Sequence, residues 1–255
     1  MNPILLIARK DIRSYFISPI AYIIVAVYML LVGWMFFNLL SFFLMSASQY
    51  SQFAQFNMGQ KPNVTESVLR PLFGNMNVIL LFVAPFVTMR LFAEERRDHT
   101  LELYLTSPVR PIQVVLGKFL AGTVMLLIMA SSTLIFPIIL QLVITPDWGV
   151  IFSSYLGIAF VCITYVAVGL FWSSLTVNQA VAAALSFGTA LFFWLISWAT
   201  HRAGPVWSEV LSYLSLIGHY TNFAQGAIDT TDIVYYLTFT GFGLFLTNLA
   251  VENNQ

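Results

Sequence analysis

The chain has 255 residues, of which 59% are apolar, 16% aromatic and only 9% charged, against roughly 25% charged residues in an ordinary soluble domain. With a mean hydropathy of +0.83 it cannot present a water-facing exterior, so it reads as a membrane protein. Eleven Lys and Arg balance eleven Asp and Glu, leaving no basic excess for nucleic acid, and a lone cysteine excludes an intrachain disulfide or a cysteine metal cage.

The first predicted element covers about residues 3–17. Ile4, Leu5, Ile7, Ala8, Ile12, Tyr15 and Phe16 share one helical face, with Arg9, Lys10, Asp11 and Arg13 largely opposite. This pattern predicts a helix lying on the membrane with its cations towards anionic headgroups. The apolar run behind it spans about 19–45, far longer than the 7–15 residues of a signal-peptide core, so it is expected to remain as a span.

Five further stretches reach the ~20 apolar residues that a span requires: about 72–93, 114–144, 149–172, 179–200 and 233–251. Helices are expected throughout, because runs such as Val78 to Val83 lack the alternation of barrel strands. Pro137 and Pro146 predict a tilt or kink in the third stretch. Cys162 sits in an apolar run and reads as a small core hydrophobe.

Eight of the eleven Lys and Arg fall on one side of this arrangement: Arg9, Lys10, Arg13, Arg90, Arg96, Arg97, Arg110 and Lys118. Lys61, Arg70 and Arg202 fall on the other, and this asymmetry predicts both termini in the cytoplasm. Outside, residues 46–71 are rich in Gln, Ser and Asn and are expected to be a solvated loop. Residues 201–232 carry Val206, Trp207, Val210, Leu211, Leu214 and Ile217 at helical spacing, which predicts an amphipathic piece in the outer interface.

Charge concentrates between spans two and three. Glu94, Glu95, Asp98 and Glu102 recur three or four apart, with Arg90, Arg96 and Arg97 as expected partners. Leu101, Tyr104 and Leu105 follow as an apolar stripe, and Ser107 with Pro108 are expected to start the next helix. The predicted product is a short helix beneath the membrane, its apolar ridge edged with charge, suited to the groove of a soluble partner.

This stretch, Glu94-Glu95-Arg96-Arg97-Asp98-His99-Thr100-Leu101-Glu102-Leu103-Tyr104-Leu105-Thr106-Ser107-Pro108-Val109 with Gly117-Lys118-Phe119-Leu120, resembles the signature of ABC-2-type transporter permeases. Within that family it is similar to the gliding-motility and copper-processing branch, as is the segment from Asn222 to Asp232. The resemblance implies a single all-α permease domain over residues 1–255: an interfacial helix, six transmembrane helices, a cytoplasmic coupling helix and re-entrant outer helices before span six. It further implies a bacterial inner-membrane protein that moves, in the outward direction, a substrate. Power would come from cytoplasmic ABC ATPase subunits that bind ATP and Mg, so that no cofactor is held by this chain. A second permease copy or a related membrane subunit is the implied partner within the bilayer. Glu94, Glu95, Arg96, Arg97, Asp98, His99, Thr100, Leu101, Glu102, Tyr104 and Leu105 would contact the ATPase. The family usually carries Gly where His99 stands.

No phosphate-binding loop, H-E-x-x-H or G-x-S-x-G motif occurs, and His99, His201 and His219 are scattered. Lys118 is expected to snorkel to the inner interface. No Asp or Glu lies near the middle of a span, which argues against an ion-coupled carrier. Neutral polar residues such as Ser131, Ser132, Thr133, Ser186, Thr189 and Ser197 are expected to bond between helices. Asn75 and Asn77 are the candidates to face a pathway. A membrane anchor without transport, or a channel, remain the alternatives to a permease.

Overall fold

A computed structural model describes residues 2–53, 63–98, 100, 109–142, 144–200 and 204–253. Among these every regular element is helical: α1 (Pro3–Ile17), α2 (Pro19–Phe53), a π-helical turn (Thr65–Leu69), α3 (Arg70–Thr88), α4 (Arg90–Arg97), α5 (Pro111–Ser132), α6 (Ile135–Gln141), α7 (Trp148–Leu175), α8 (Gln179–Thr200), α9 (Pro205–Leu214), α10 (Leu216–Ala224) and α11 (Thr230–Glu252). Six helical runs are long and apolar enough to cross a membrane, with α3–α4 and α5–α6 each forming one run. The protein is therefore an all-α, multi-pass membrane protein.

The fourth span, α7, is the axis of the bundle. Its apolar stretch is 67% buried, against 22% for α2 and for α8. Glycines set its close contacts: a Cβ on Gly169 would lie 2.0 Å from Thr88 Oγ1, and one on Gly157 would lie 2.7 Å from Phe223 Cβ. Tyr22, Ile23, Val27, Leu30, Trp34 and Phe37 of α2 point outward from the bundle, as lipid-facing residues do.

Each end of the bundle carries accessory helices. At one end α1 crosses the start of α5, where a Cβ on Gly117 would meet Ile7 Cβ at 2.8 Å. Ile7, Ala8 and Asp11 form its buried face, so Asp11 is the charge that departs from the face opposite the apolar one, while Arg9, Lys10 and Arg13 stay exposed. At the other end α10 packs Leu216, His219, Tyr220 and Phe223 inward. The stripe expected between Val206 and Ile217 divides there: Trp207, Val210 and Leu214 of α9 stay exposed.

Two other expectations are corrected, and the kink expected in the third span is observed. The outer loop is shorter than 46–71, because α2 continues to Phe53 and the chain is helical again by Thr65. Val64, Thr65, Val68 and Leu69 are buried there, so apolar burial outweighs the local polarity. The third span breaks at Thr133–Leu134, four residues before Pro137, whose ring obstructs the carbonyl at that distance. Most span hydroxyls bond their own helix, as Ser131 to Ile128 O, Ser186 to Ala182 O and Ser197 to Trp194 O, because short side chains reach the carbonyls three or four residues back. Thr133 with Tyr155, Trp172 with Thr189, and Ser132 with Met29 do bridge helices.

Candidate functional site

The charged end of the bundle is built around one lysine. Lys118, about two turns into α5, is 1% exposed. Its Nζ lies 2.7 Å from Glu95 Oε2 on α4 and 3.3 Å from Asp11 Oδ2 on α1. Lys10 Nζ closes the knot at 2.9 Å from Glu95 Oε1. Two cations and two carboxylates from three helices thus satisfy one another, and Lys118 also stands 5.1 Å from the Phe92 ring centre. This corrects the expectation that Lys118 snorkels. Two acids at hand inside the protein remove any need to reach the interface.

Burial pushes the Asp11 carboxyl above the usual carboxylate value, against the opposing pull of Lys118. Glu95 holds the shorter contact to Lys118 and two cationic partners, so it is the principal counter-ion of the knot.

Helix α4 exists because the second span breaks at Met89. The break leaves backbone donors at the new helix start without partners inside the helix. Ser173 of α7 supplies one: its Oγ accepts from the backbone N–H of Phe92 and of Ala93, each at 3.0 Å, and donates to Met89 O at 3.0 Å. Nothing in the uncharged run around Ser173 marks it in the sequence, since its role depends on the break in another span. Tyr15 of α1 adds a bond to Val87 O at 2.7 Å. Helix α4 is thereby tied to α1, α5 and α7 together.

The residues singled out from sequence divide as follows. Glu95 turns inward to the knot, and Arg97 pairs with its neighbour Asp98 at 3.0 Å. The expected pairing of the acidic row with Arg90, Arg96 and Arg97 is corrected in Glu95, because adjacent residues on a helix point about 100° apart and only Glu95 meets the bundle. Thr100 N–H donates to Glu95 O at 2.9 Å and ends the helix. His99, Leu101, Glu102, Tyr104, Leu105, Ser107 and Pro108 lie outside the described residues. Among the described residues the next helix starts at Pro111, with Gln113 Oε1 accepting from Arg110 N–H at 3.1 Å. Asn75 is half-buried. Asn77 is 2% exposed, with no hydrogen-bond partner for either amide atom among the described residues.

At the opposite end a second polar cluster joins α10 to α11. His219 Nδ1 lies 2.6 Å from Asp232 Oδ1 and Nε2 lies 2.9 Å from Tyr213 O, while Asn222 Nδ2 donates to Asp232 Oδ2 at 2.9 Å. Tyr235 stacks on the imidazole at 4.0 Å. Gly226, at φ +86°, reverses the chain so that Asn222 and Asp232 can meet. Ala227 N–H returns to Asn222 O and Gly226 N–H to Phe223 O, a Schellman closure that requires this left-handed residue. Among the described residues no cluster of His, Cys, Asp and Glu has the makings of a metal centre.

An all-helical bundle of six spans, with a charged helix held at one end, defines a multi-pass membrane protein. The chain belongs to the ABC-2 family of transporter proteins, whose pattern it matches over residues 5–252. It is thus a permease component of an ABC transporter, of a family that is a membrane transport part, not itself catalytic, and whose membership implies association with ABC ATPases. No individual curated protein matches it significantly.

Proposed function

We propose that α4 and the residues following it, from Glu94 to Leu105, receive a cytoplasmic ABC ATPase, and that this chain passes its motion to the spans to export a substrate. The observation that carries this reading is the attachment of α4. It is held by Ser173 of α7, Lys118 of α5 and Lys10 of α1 at once. A push on α4 therefore displaces the central span, the third span and the interfacial helix as a unit, which suits a lever better than a passive anchor. The lopsided distribution of Lys and Arg supports placing this end, with both termini, in the cytoplasm. The motifs at 94–109 and 222–232 support the gliding-motility and copper-processing branch, and a second permease copy completes the assembly.

Docking is tested by changing Leu101 and Tyr104 to Asp in the full chain and co-purifying it with its ATPase. Loss of the ATPase with an unchanged thermal midpoint is expected. Undiminished association would overturn the assignment. Orientation is tested with a thiol reagent on an Arg97→Cys variant, since the sole native cysteine, Cys162, is fully buried. Labelling in intact cells by a membrane-impermeant reagent would place this end outside and overturn the reading.

A further inference from the structure

A crevice of about 370 Å³ opens between the C-terminal half of α1 and the start of α4. The knot forms its floor, where Lys10 and Lys118 are matched by Asp11 and Glu95. Two charges on its walls are left over. Arg90 makes one contact among the described residues, Nη1 to Ser18 Oγ at 3.4 Å. Glu94 forms no ion pair within 4.0 Å among them, although it stands one helical turn from Arg90. The crevice thus holds one guanidinium with two neighbouring hydroxyls, Ser14 and Ser18, and one separate carboxylate.

From Arg90 and Tyr15 a shallow apolar groove of only about 10 Å³ continues along the bundle, edged by Ile20, Ile24, Phe86 and Val87. Ile20 and Phe86 are 43% and 53% exposed on what is a spanning, lipid-facing surface. The polar crevice therefore lies at headgroup depth, and the groove leads from it towards the hydrocarbon.

We propose that this site seats an aminophospholipid of the phosphatidylethanolamine type. Its phosphate lies on Arg90 and the Ser14 and Ser18 hydroxyls, its primary ammonium on Glu94, and one acyl chain against the exposed faces of Ile20 and Phe86. Arg suits a phosphate because its planar donors form two parallel bonds. An ammonium with three N–H donors answers the carboxylate, which a trimethylated choline lacks the donors to do and a glycerol headgroup lacks the charge to do. Basic crevices between helices at the membrane face are established headgroup sites; the added carboxylate selects a zwitterion here. The inference needs neither the ATPase nor the direction of transport.

Native mass spectrometry of the full chain in mild detergent, offered equal amounts of phosphatidylethanolamine, phosphatidylcholine and phosphatidylglycerol, tests it. Retention of the ethanolamine lipid about tenfold or more above either other lipid is expected, equivalent to one charge-assisted hydrogen bond. Arg90→Gln is expected to remove the bound lipid, and Arg90→Lys to keep much of it, which separates lost binding from lost fold. Glu94→Gln is expected to abolish the preference for ethanolamine over glycerol. Equal retention of the three lipids, or an unchanged preference in the Arg90→Gln and Glu94→Gln variants, would overturn the assignment. Displacement by glycerophosphoethanolamine, which has no acyl chains, would assign a soluble ligand and overturn the lipid.

Discussion

At the charged end, α1 and α4 are fastened to the third span by four ionisable groups that share a hub, whereas at the opposite end α10 is fastened to α11 by a His–Asp pair, an amide beside it and the Tyr236 hydroxyl on Leu216 O. The numbers of charges differ less in importance than the spare partners. Lys118 is the only contact within 4.0 Å between Asp11 and a cation among the described residues, and it carries the shortest bond to Glu95. Around Asp232, Asn222 holds the second oxygen, and Tyr213 O takes the other imidazole nitrogen. The atoms that face the two imidazole nitrogens, Asp232 Oδ1 and Tyr213 O, are both acceptors, and Tyr235 lies against the ring face. One end is a network that depends on a single residue; the other is a pair with neutral support.

The comparison breaks most sharply at Lys118. Changing it to Met keeps the length but leaves Glu95 and Asp11 facing each other in a buried site. Removing one member of a buried ion pair typically costs about 3–5 kcal/mol, because the remaining charge stays uncompensated. Thermal unfolding in detergent should show the largest fall of any single substitution discussed here, together with loss of α1 packing at Ile7 and Gly117. Changing Lys118, Glu95 and Asp11 together to Met, Gln and Asn should recover most of it. A single substitution without effect would show that the knot is solvated and transmits no force.

His219→Ala should do less. Asp232 keeps Asn222 and its place in the first turn of α11, where a carboxylate is favoured by the helix dipole. The loss of one charged hydrogen bond corresponds to about 1.5–3 kcal/mol. The expected local result is loosening of α10, seen as faster amide exchange at Leu216 to Ala224 with the charged end unchanged. Exchange that rises equally at both ends would show that the two clusters are not separate fastenings.

Much of this architecture is legible from composition alone. Spans announce themselves because hydrocarbon admits few charges, and the interfacial helix because its charges keep largely to one face. The knot is not legible, because a lysine near a span end reads as a snorkelling residue until the chain is folded. Its acids, Asp11 and Glu95, stand 107 and 23 positions away in sequence. Ser173 is hidden for a similar reason: its partners appear only when Pro85-containing α3 stops at Thr88 and α4 restarts at Arg90. At the other end the Asn222–Asp232 motif was visible as a pattern, but its meaning, an amide and a carboxylate closed on one another across the Gly226 reversal, needed coordinates. His219 lay among three scattered histidines and offered no signal of its own.

Within the knot the two carboxylates are not equivalent, and Asp11 should give the smallest effect, with a sign opposite to the others. Burial raises its carboxyl above the ordinary value of 3.8, and the raising outweighs the attraction of Lys118 at 3.3 Å. The folded chain then binds the Asp11 proton more tightly than the unfolded chain does. Its contribution to stability is complete below the unfolded value and is lost as the pH climbs through the raised one. At neutral pH the ionised group is therefore a net burden, and Asp11→Asn keeps its shape and a hydrogen-bonding oxygen for Lys118 without that burden. The thermal midpoint at pH 7.5 should stay unchanged or rise by up to about 2–4 °C, the shift that 1 kcal/mol produces in a chain of this size. The difference from the native chain should shrink as the pH falls through the raised value, where the native carboxyl takes up its own proton. A clear fall of the midpoint at pH 7.5 would mean that Lys118 needs both acids, and the knot would have two equal counter-ions where Glu95 is here given the principal part.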